Sequence, residues 1–179
     1  MWARNDNGRC AEFITSNPEG AYHPDIQWVE VPAPLRAWVD PAYIVTEAGA
    51  VAPPSLDHIK DQAKGRAAER RYRAETGGIV VGGAPIRTDR ESQALINGAK
   101  ALAEAEPAEP VEFKGGGGWV TLDSPTMIAI GLAVGRHVRD CFRRERAICE
   151  LIDAAETAAE VIAIFNSQIN QDWPPTAPI

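Results

Sequence analysis

Three residues whose side chains could bind a metal ion or take part in catalysis share one face of a predicted helix in the last third of the chain. His137 and Cys141 are four residues apart, and Glu145 continues the same face. This spacing suits two zinc ligands, but zinc needs two more, and neither His23 nor His58 lies in a recognisable ligand motif. The alternative is an interior cysteine beside a half-exposed histidine, and the apolar character of this helix favours it. We therefore predict no catalytic residue, no metal ion and no cofactor.

Two aspartates occupy equivalent positions before predicted helices. Asp89 and Asp123 each follow a predicted strand, and two carboxylates that faced one cleft could transfer protons. Aspartate at such a junction more often accepts hydrogen bonds from the first N–H groups of the helix, so we predict helix capping. The run Gly115–Gly118 precedes Trp119-Val120, which is typical of a strand, whereas a phosphate-binding loop leads into a helix. We predict an exposed hairpin tip there.

The charge pattern argues against nucleic-acid binding and membrane insertion. The chain has 18 basic and 25 acidic residues, a net charge of −7, which does not suit a protein that coats nucleic acid. Two basic runs, 60–73 and 136–146, are interleaved with acidic residues, as in solvated helix faces or salt-bridged subunit contacts. The longest uncharged stretch, Ser124–Gly135, has 12 residues, whereas a membrane span needs about 20. Three cysteines without a CxxC pair favour a reducing compartment.

The elements that would position these residues fall into two parts, and the first is rich in turns. Asn7-Gly8 separates two apolar runs, and both residues tolerate the positive φ of a tight hairpin turn. Ile26–Val31 alternates apolar and polar residues like a half-buried strand, and Glu47–Gly49 separates another pair of runs. We predict a small β-rich attachment module of four or five short strands at residues 1–52, followed by a proline linker at 53–55.

Residues 56–170 are predicted to form an α+β domain. A helix over about 56–75 leads into two strand–turn–strand–helix units, with turns at Gly82-Gly83 and Gly115–Gly118. Two such hairpins can pair into one antiparallel four-stranded sheet with helices on one face. The second unit continues into a helix of about 30 residues, and Thr157–Glu160 is a capping box for the last helix. Prolines keep the tail, residues 171–179, extended.

Five residues are candidates for partner contacts. Trp2, Trp28 and Trp38 are large apolar side chains in a module of about 50 residues, which is too short to cover all of them. Trp173 and Pro174 belong to a proline-rich tail that loses little entropy on docking. We predict that these residues attach the chain to its partners, and that the domain from residue 56 onward folds without the module.

The chain also resembles a domain of unknown function that occurs in tailed bacteriophages. The resemblance covers roughly residues 56–165 and rests on Arg70–Ile79, Pro85–Gln93, Gly118–Asp123 and His137–Phe142. Proteins with this domain are encoded near tail fibres, and some of them are tail-fibre or tail-fibre-assembly proteins. The family has no established catalytic residues that could be transferred to this chain.

The resemblance implies a non-enzymatic structural component of the virion, in the distal tail: baseplate, tail fibre or fibre connector. Its partners would be other phage tail proteins, namely fibre or baseplate subunits, and several copies of the chain would form a homo-oligomer in the assembly. It would neither bind nucleic acid nor insert into a membrane. The protein would reside in the virion, and in the host cytoplasm before assembly. The alternative is a tail-fibre assembly chaperone that is absent from the mature virion. An enzyme or a nucleic-acid-binding factor is a third hypothesis, for which the residues offer little chemistry.

Overall fold

The computed structural model describes residues 1–115 and 118–177, and it confirms the predicted α+β class. The chain divides into two compact units: unit 1 is Met1–Gly65 with Leu151–Asn166, and unit 2 is Arg66–Glu150 with Ser167–Ile179. The elements in chain order are β1 Trp2–Asp6, β2 Arg9–Ile14, β3 Trp28–Glu30, β4 Ile44–Val45, β5 Val51–Ala52, α1 Leu56–Glu75, β6 Ile79–Val81, β7 Ala84–Ile86, α2 Arg90–Ala105, β8 Val111–Gly115, β9 Gly118–Leu122, α3 Ser124–Ala154 and α4 Ala158–Gln168.

The boundaries of the two units fall inside helices rather than at the predicted linker, residues 53–55. α1, α3 and α4 each begin in one unit and end in the other. The prediction of the linker rested on a pair of prolines, which interrupt regular structure, whereas these three helices continue unbroken from one unit into the other. Within the part of the chain that the structure describes, none of the helices combines the length and apolar character needed to cross a membrane.

Unit 1 contains a five-stranded antiparallel sheet with the strand order β3-β1-β2-β4-β5. Asn7 and Gly8 close the β1–β2 hairpin with φ angles of 53° and 84°, which is the conformation of a tight type I′ turn, so this predicted hairpin is confirmed. The strand expected over 26–31 is present in a shorter form as β3. The hairpin expected around residues 47–49 is present as the antiparallel pair β4–β5.

The core of unit 1 is formed by side chains from the sheet, from the loop between β3 and β4, and from the unit 1 parts of α1 and α4. Its buried members include Ala3, Cys10, Val31, Trp38, Tyr43, Ile59, Val161 and Phe165. α1 begins after Ser55, whose Oγ accepts a hydrogen bond from the backbone N–H of His58 at 3.1 Å. Gln62 then ties α1 to the preceding loop, because its Nε2 donates to the carbonyl of Trp38 at 2.9 Å and to Asp40 at 2.7 Å.

Unit 2 contains two separate β-hairpins. Among the described residues β6 pairs with β7 alone, and β8 with β9 alone, so the prediction of one four-stranded sheet is wrong. The tight turn of the first hairpin places Val80 opposite Pro85. In this register, the N–H that Pro85 lacks is one that would point away from β6. β7 is therefore short of a donor on its outer edge, which disfavours pairing with a further strand.

The two hairpins pack on a shared apolar core of unit 2. The buried residues of this core are Ile79, Ile96, Ala103, Val111, Met127 and Val134. Thr88, which precedes α2, is also fully buried, and its Oγ1 accepts a hydrogen bond from the backbone N–H of Gly78 at 2.9 Å. This contact joins the start of the first hairpin to the segment that leaves it.

A buried carboxylate lies at the end of α1 in unit 2. Glu75 is fully buried and accepts hydrogen bonds from Arg71, one turn earlier, and from two α2 residues. The Arg90 Nη1 lies 3.1 Å from Oε1, and the Gln93 Nε2 donates to the same oxygen at 3.3 Å. Arg71 is also bonded to Glu145 of α3, with 2.9 Å between Nε and Oε2. This ionic cluster connects three helices of the unit.

Candidate binding surfaces

Unit 2 has an apolar cleft of about 610 Å³ between its two hairpins and the first turns of α2 and α3. Ile86, Phe113 and Leu122 contribute to it from the hairpins, and Ile96 and Met127 from the helices. Because the hairpins do not join into one sheet, the space between them stays open. We call this space the unit 2 cleft; its volume is within the range of about 300–1,000 Å³ that is usual for ligand sites.

The unit 2 cleft has exposed apolar side chains at its opening. Leu95 is 58% exposed and Val120 is 43% exposed. The apolar arc of α2 is wider than the surface that the unit buries: Ile96 and Ala103 are buried, whereas Leu95 and Leu102, also seven residues apart, face water. Leu95 and Val120 line the cleft, whereas Leu102 does not, and exposed apolar residues at the opening of a cleft favour a contact with another protein.

Few charged groups line the unit 2 cleft, and they are partly paired. Arg87 donates from Nε to Oδ2 of Asp89 at 3.0 Å. Lys114 also lines the cleft, and its Nζ lies 5.6 Å from the centre of the Trp119 ring, within range of a cation–π contact. Trp119 itself is 73% exposed. The cleft is therefore suited to an apolar partner with a polar periphery.

Asp89 and Asp123 cap helices, as predicted. Asp89 accepts hydrogen bonds from the backbone N–H of Ser92 at 3.0 Å and from its hydroxyl at 2.8 Å. Asp123 accepts from the backbone N–H of Thr126 at 2.8 Å. The pKa of Asp89 is lowered by the hydrogen bonds from the backbone and side chain of Ser92, and the pKa of Asp123 by those from the side chain and backbone of Thr126. Both are therefore ionised acceptors at neutral pH, and of the two only Asp89 lines the cleft.

His137 and Cys141 are both buried, so the expectation of a half-exposed histidine is wrong. The Nε2 of His137 lies 3.0 Å from the carbonyl oxygen of Ala74, which can only accept, so this nitrogen donates. The Cys141 Sγ lies 3.9 Å from the same nitrogen, and burial raises the pKa of the thiol to about 11. Glu145 is bonded to Arg71. Within residues 1–115 and 118–177, no three or more His, Cys, Asp or Glu side chains form a metal-binding group.

The basic runs are balanced by acidic neighbours. Arg139 and Arg143 both contact Asp140, and Arg146 donates to Glu150 at 2.7 Å. In unit 1, Lys64 is paired with Asp153. The predicted glycine-rich tip is flanked by β8 and β9, as expected for a hairpin, whereas its central residues, 116 and 117, lie outside the described residues.

Trp2, Tyr22 and Trp28 line a second pocket, of about 540 Å³, in unit 1, which we call the aromatic pocket. Trp2 lies opposite Glu30, and Arg4 opposite Trp28, in the β1–β3 pair, so both indoles project from the same face of the sheet. The ring centres of Tyr22 and Trp28 are 4.9 Å apart. The indole N–H of Trp28 is buried and has no acceptor among the described residues. Sequence analysis missed Tyr22, because it lies in a loop without periodicity.

The other predicted contact residues are held by the chain itself. Trp38, a predicted contact residue, is only 2% exposed and packs edge-on against Phe165 of α4 inside unit 1. In unit 2, the indole N–H of Trp173 donates to the carbonyl of Ile169 at 2.6 Å. Pro174 is half-buried, and further along the tail Ala177 donates its backbone N–H to Gly78 at 3.0 Å. The described part of the tail thus packs on unit 2.

The family model of the domain of unknown function DUF4376 matches residues 58–166, more than half of the chain, and the chain belongs to this family. No curated protein matches the chain. No solved structure matches it either.

Proposed function

We propose that the chain is a non-enzymatic structural component of the distal tail of a tailed bacteriophage and that it acts through contacts with other tail proteins. Two of the segments that carry the phage resemblance are Pro85–Gln93 and Gly118–Asp123. Both also contribute residues to the unit 2 cleft. Part of the resemblance and part of the unit 2 cleft therefore coincide in the chain.

The unit 2 cleft is the observation that carries this proposal. Its opening presents Leu95 and Val120 to water, next to buried core residues such as Ile96 and Met127. Removing one leucine side chain fully from water contributes about 1.5–3 kcal/mol. A partner that covers this opening gains from several such side chains at once, which suits a stable contact within an assembled particle.

The side chains that were considered for catalysis or metal binding have structural roles instead, which supports a protein without catalytic activity. Asp89 and Asp123 are helix caps. Cys141 is buried, and its raised pKa keeps the thiol protonated at neutral pH. His137 donates a hydrogen bond to a backbone carbonyl inside the unit.

A pair of leucine substitutions on one helix tests the proposal. Leu95→Glu places a charge at the opening of the cleft, whereas Leu102→Glu places the same charge on the same helix away from the residues that line it. We expect Leu95→Glu to lower the amount of this protein in purified particles by about tenfold, the equivalent of about 1.4 kcal/mol of contact energy. Leu102→Glu should be incorporated almost like the unmodified chain.

Equal incorporation of the two variants would contradict the role of the cleft. Circular dichroism of both purified variants checks that each keeps its helices; because both leucines are exposed, neither change should unfold the chain. If the unmodified protein binds fibre subunits in lysates but is missing from particles, its function is that of a tail-fibre assembly chaperone and not that of a structural component. Detection in particles would also place the protein in the virion, after synthesis in the host cytoplasm.

A further inference from the structure

The loop between β2 and β3 gives the aromatic pocket a defined shape. Two successive turns are closed by backbone hydrogen bonds, from Ala21 to Pro18 at 3.1 Å and from Ile26 to His23 at 3.0 Å. Pro18 is buried, and Gly20 has a φ of 74°, which residues with a side chain rarely adopt. A wall that is already ordered loses little conformational entropy when a ligand binds. The pocket is therefore suited to recognition without a large rearrangement.

The titratable side chains in the lining of the aromatic pocket are one carboxylate, one tyrosine and one histidine. Glu19 lines it, and the described residues include no cation paired with this carboxylate. Arg4 projects from the same face of the sheet. Its Nε lies 3.4 Å from Oε2 of Glu12, an ion-pair distance, although this N–H is buried and has no hydrogen-bond acceptor among the described residues. The Nδ1 of His23 lies 3.6 Å from Oδ2 of Asp25. Residues 1–52 carry seven acidic and three basic side chains in total.

We infer that the aromatic pocket binds a cationic side chain, arginine or lysine, presented by a basic segment of a partner protein. The rings of Trp2, Tyr22 and Trp28 line the pocket, and Glu19 adds a full negative charge to the same lining. The face of an aromatic ring attracts a cation, and so does a carboxylate. A neutral sugar or a proline-rich segment can stack on the same rings, and sugar hydroxyls can donate hydrogen bonds to the carboxylate, but only a cation neutralises its charge. The pocket would bind such a side chain whether or not the protein belongs to a phage tail.

Titration of the full chain with short peptides, followed by the indole N–H signals in NMR spectra, tests the inference. The probes are blocked pentapeptides of glycine with arginine, citrulline or proline at the centre, and methyl glucoside as a neutral sugar. The arginine peptide should shift the signals of Trp2 and Trp28 saturably and leave that of buried Trp38 in place. Citrulline has the shape of arginine without the charge, so it should bind about fivefold more weakly, equivalent to about 1 kcal/mol.

Matched variants assign the binding to the pocket. Tyr22→Leu removes a 41% exposed ring, and Glu19→Gln removes the carboxylate, so each should weaken the arginine peptide about fivefold. Glu47→Gln changes the net charge by the same amount in the β4–β5 turn, outside the pocket, and should leave the affinity unchanged. The backbone amide spectrum of each variant shows whether the fold is retained.

Each other result overturns the inference in a defined way. Equal affinity for the citrulline and arginine peptides would show that charge does not matter. Binding of the proline peptide alone would make the pocket a site for extended proline-rich segments, and binding of methyl glucoside alone would make it a sugar site. If no probe shifts the Trp2 and Trp28 signals, or if Glu19→Gln and Glu47→Gln behave alike, the pocket does not recognise cations.

Discussion

Substitution of Glu75 tests the role of the buried ionic cluster in unit 2. Glu75→Gln keeps the shape of the side chain but removes the charge that Arg71 and Arg90 share. Loss of one partner from a buried ion pair costs about 3–5 kcal/mol, because the other charge stays in the interior. Arg71 keeps Glu145, and the Arg90 side chain is 56% exposed to water, so both retain some compensation. We therefore expect a cost at the low end, about 3 kcal/mol.

Urea and thermal unfolding, followed by circular dichroism, measure this cost. For a chain of this length, about 3 kcal/mol corresponds to a fall of about 6–12 °C in the unfolding temperature. Glu69→Gln is the matched control, since it makes the same change at an exposed position of the same helix and should shift stability by less than about 0.5 kcal/mol. If the two variants are equally stable, Glu75 does not stabilise unit 2 through its charge.

Three further predictions concern capping, the unit 1 core and thiol reactivity. Asp89→Ala removes the cap that binds Ser92 and should cost about 1 kcal/mol at neutral pH. The pKa of Asp89 is lowered in the folded state, so its contribution to stability is complete above the unfolded pKa of about 3.9 and is lost as the pH falls through the lower pKa of the folded state. Acid titration of the unmodified protein and of Asp89→Ala measures this difference. Trp38→Ala should cost about 3–5 kcal/mol in urea unfolding, because it leaves a cavity beside Phe165. Cys141 should resist alkylation until the chain is unfolded, because it is buried and its pKa is about 11; mass spectrometry after labelling in buffer and in urea measures this.

The features that sequence analysis predicted correctly depend on neighbouring residues. The Asn7-Gly8 turn requires only that both residues accept positive φ angles. The caps at Asp89 and Asp123 each join a side chain to a backbone N–H three residues later. Thr157 and Glu160 exchange the two hydrogen bonds of a capping box in the same way. Interactions of such short range are fully encoded within a few residues of sequence.

The features that sequence analysis missed depend on distant parts of the chain. Each hairpin in unit 2 was predicted, but the predicted pairing of the two hairpins into one sheet was wrong, and Pro85 removes an outward N–H from β7. Trp38 was predicted as a partner contact, because Phe165, which covers it, lies far away in sequence on α4. The expectation that residues 56–170 fold without the module is weakened for the same reason, since Phe165 belongs to the core of unit 1.

The candidate binding surfaces were predicted only in part. Tryptophan content indicated Trp2 and Trp28, but periodicity offers no signal for Tyr22, which completes the aromatic pocket from a loop. On α2, Leu95 faces water, because the helix buries only the neighbouring line through Ile96 and Ala103. The sequence shows which residues of a helix are apolar, but which of them are buried depends on the elements that pack against the helix.

Quantitative mass spectrometry of purified particles tests the central claim most directly. The protein should be present at a fixed copy number relative to the tail proteins, in a multiple set by the symmetry of the tail, after the particles have been washed at high salt. Absence from particles, with the protein abundant in the lysate from which they were purified, would contradict a structural role in the virion.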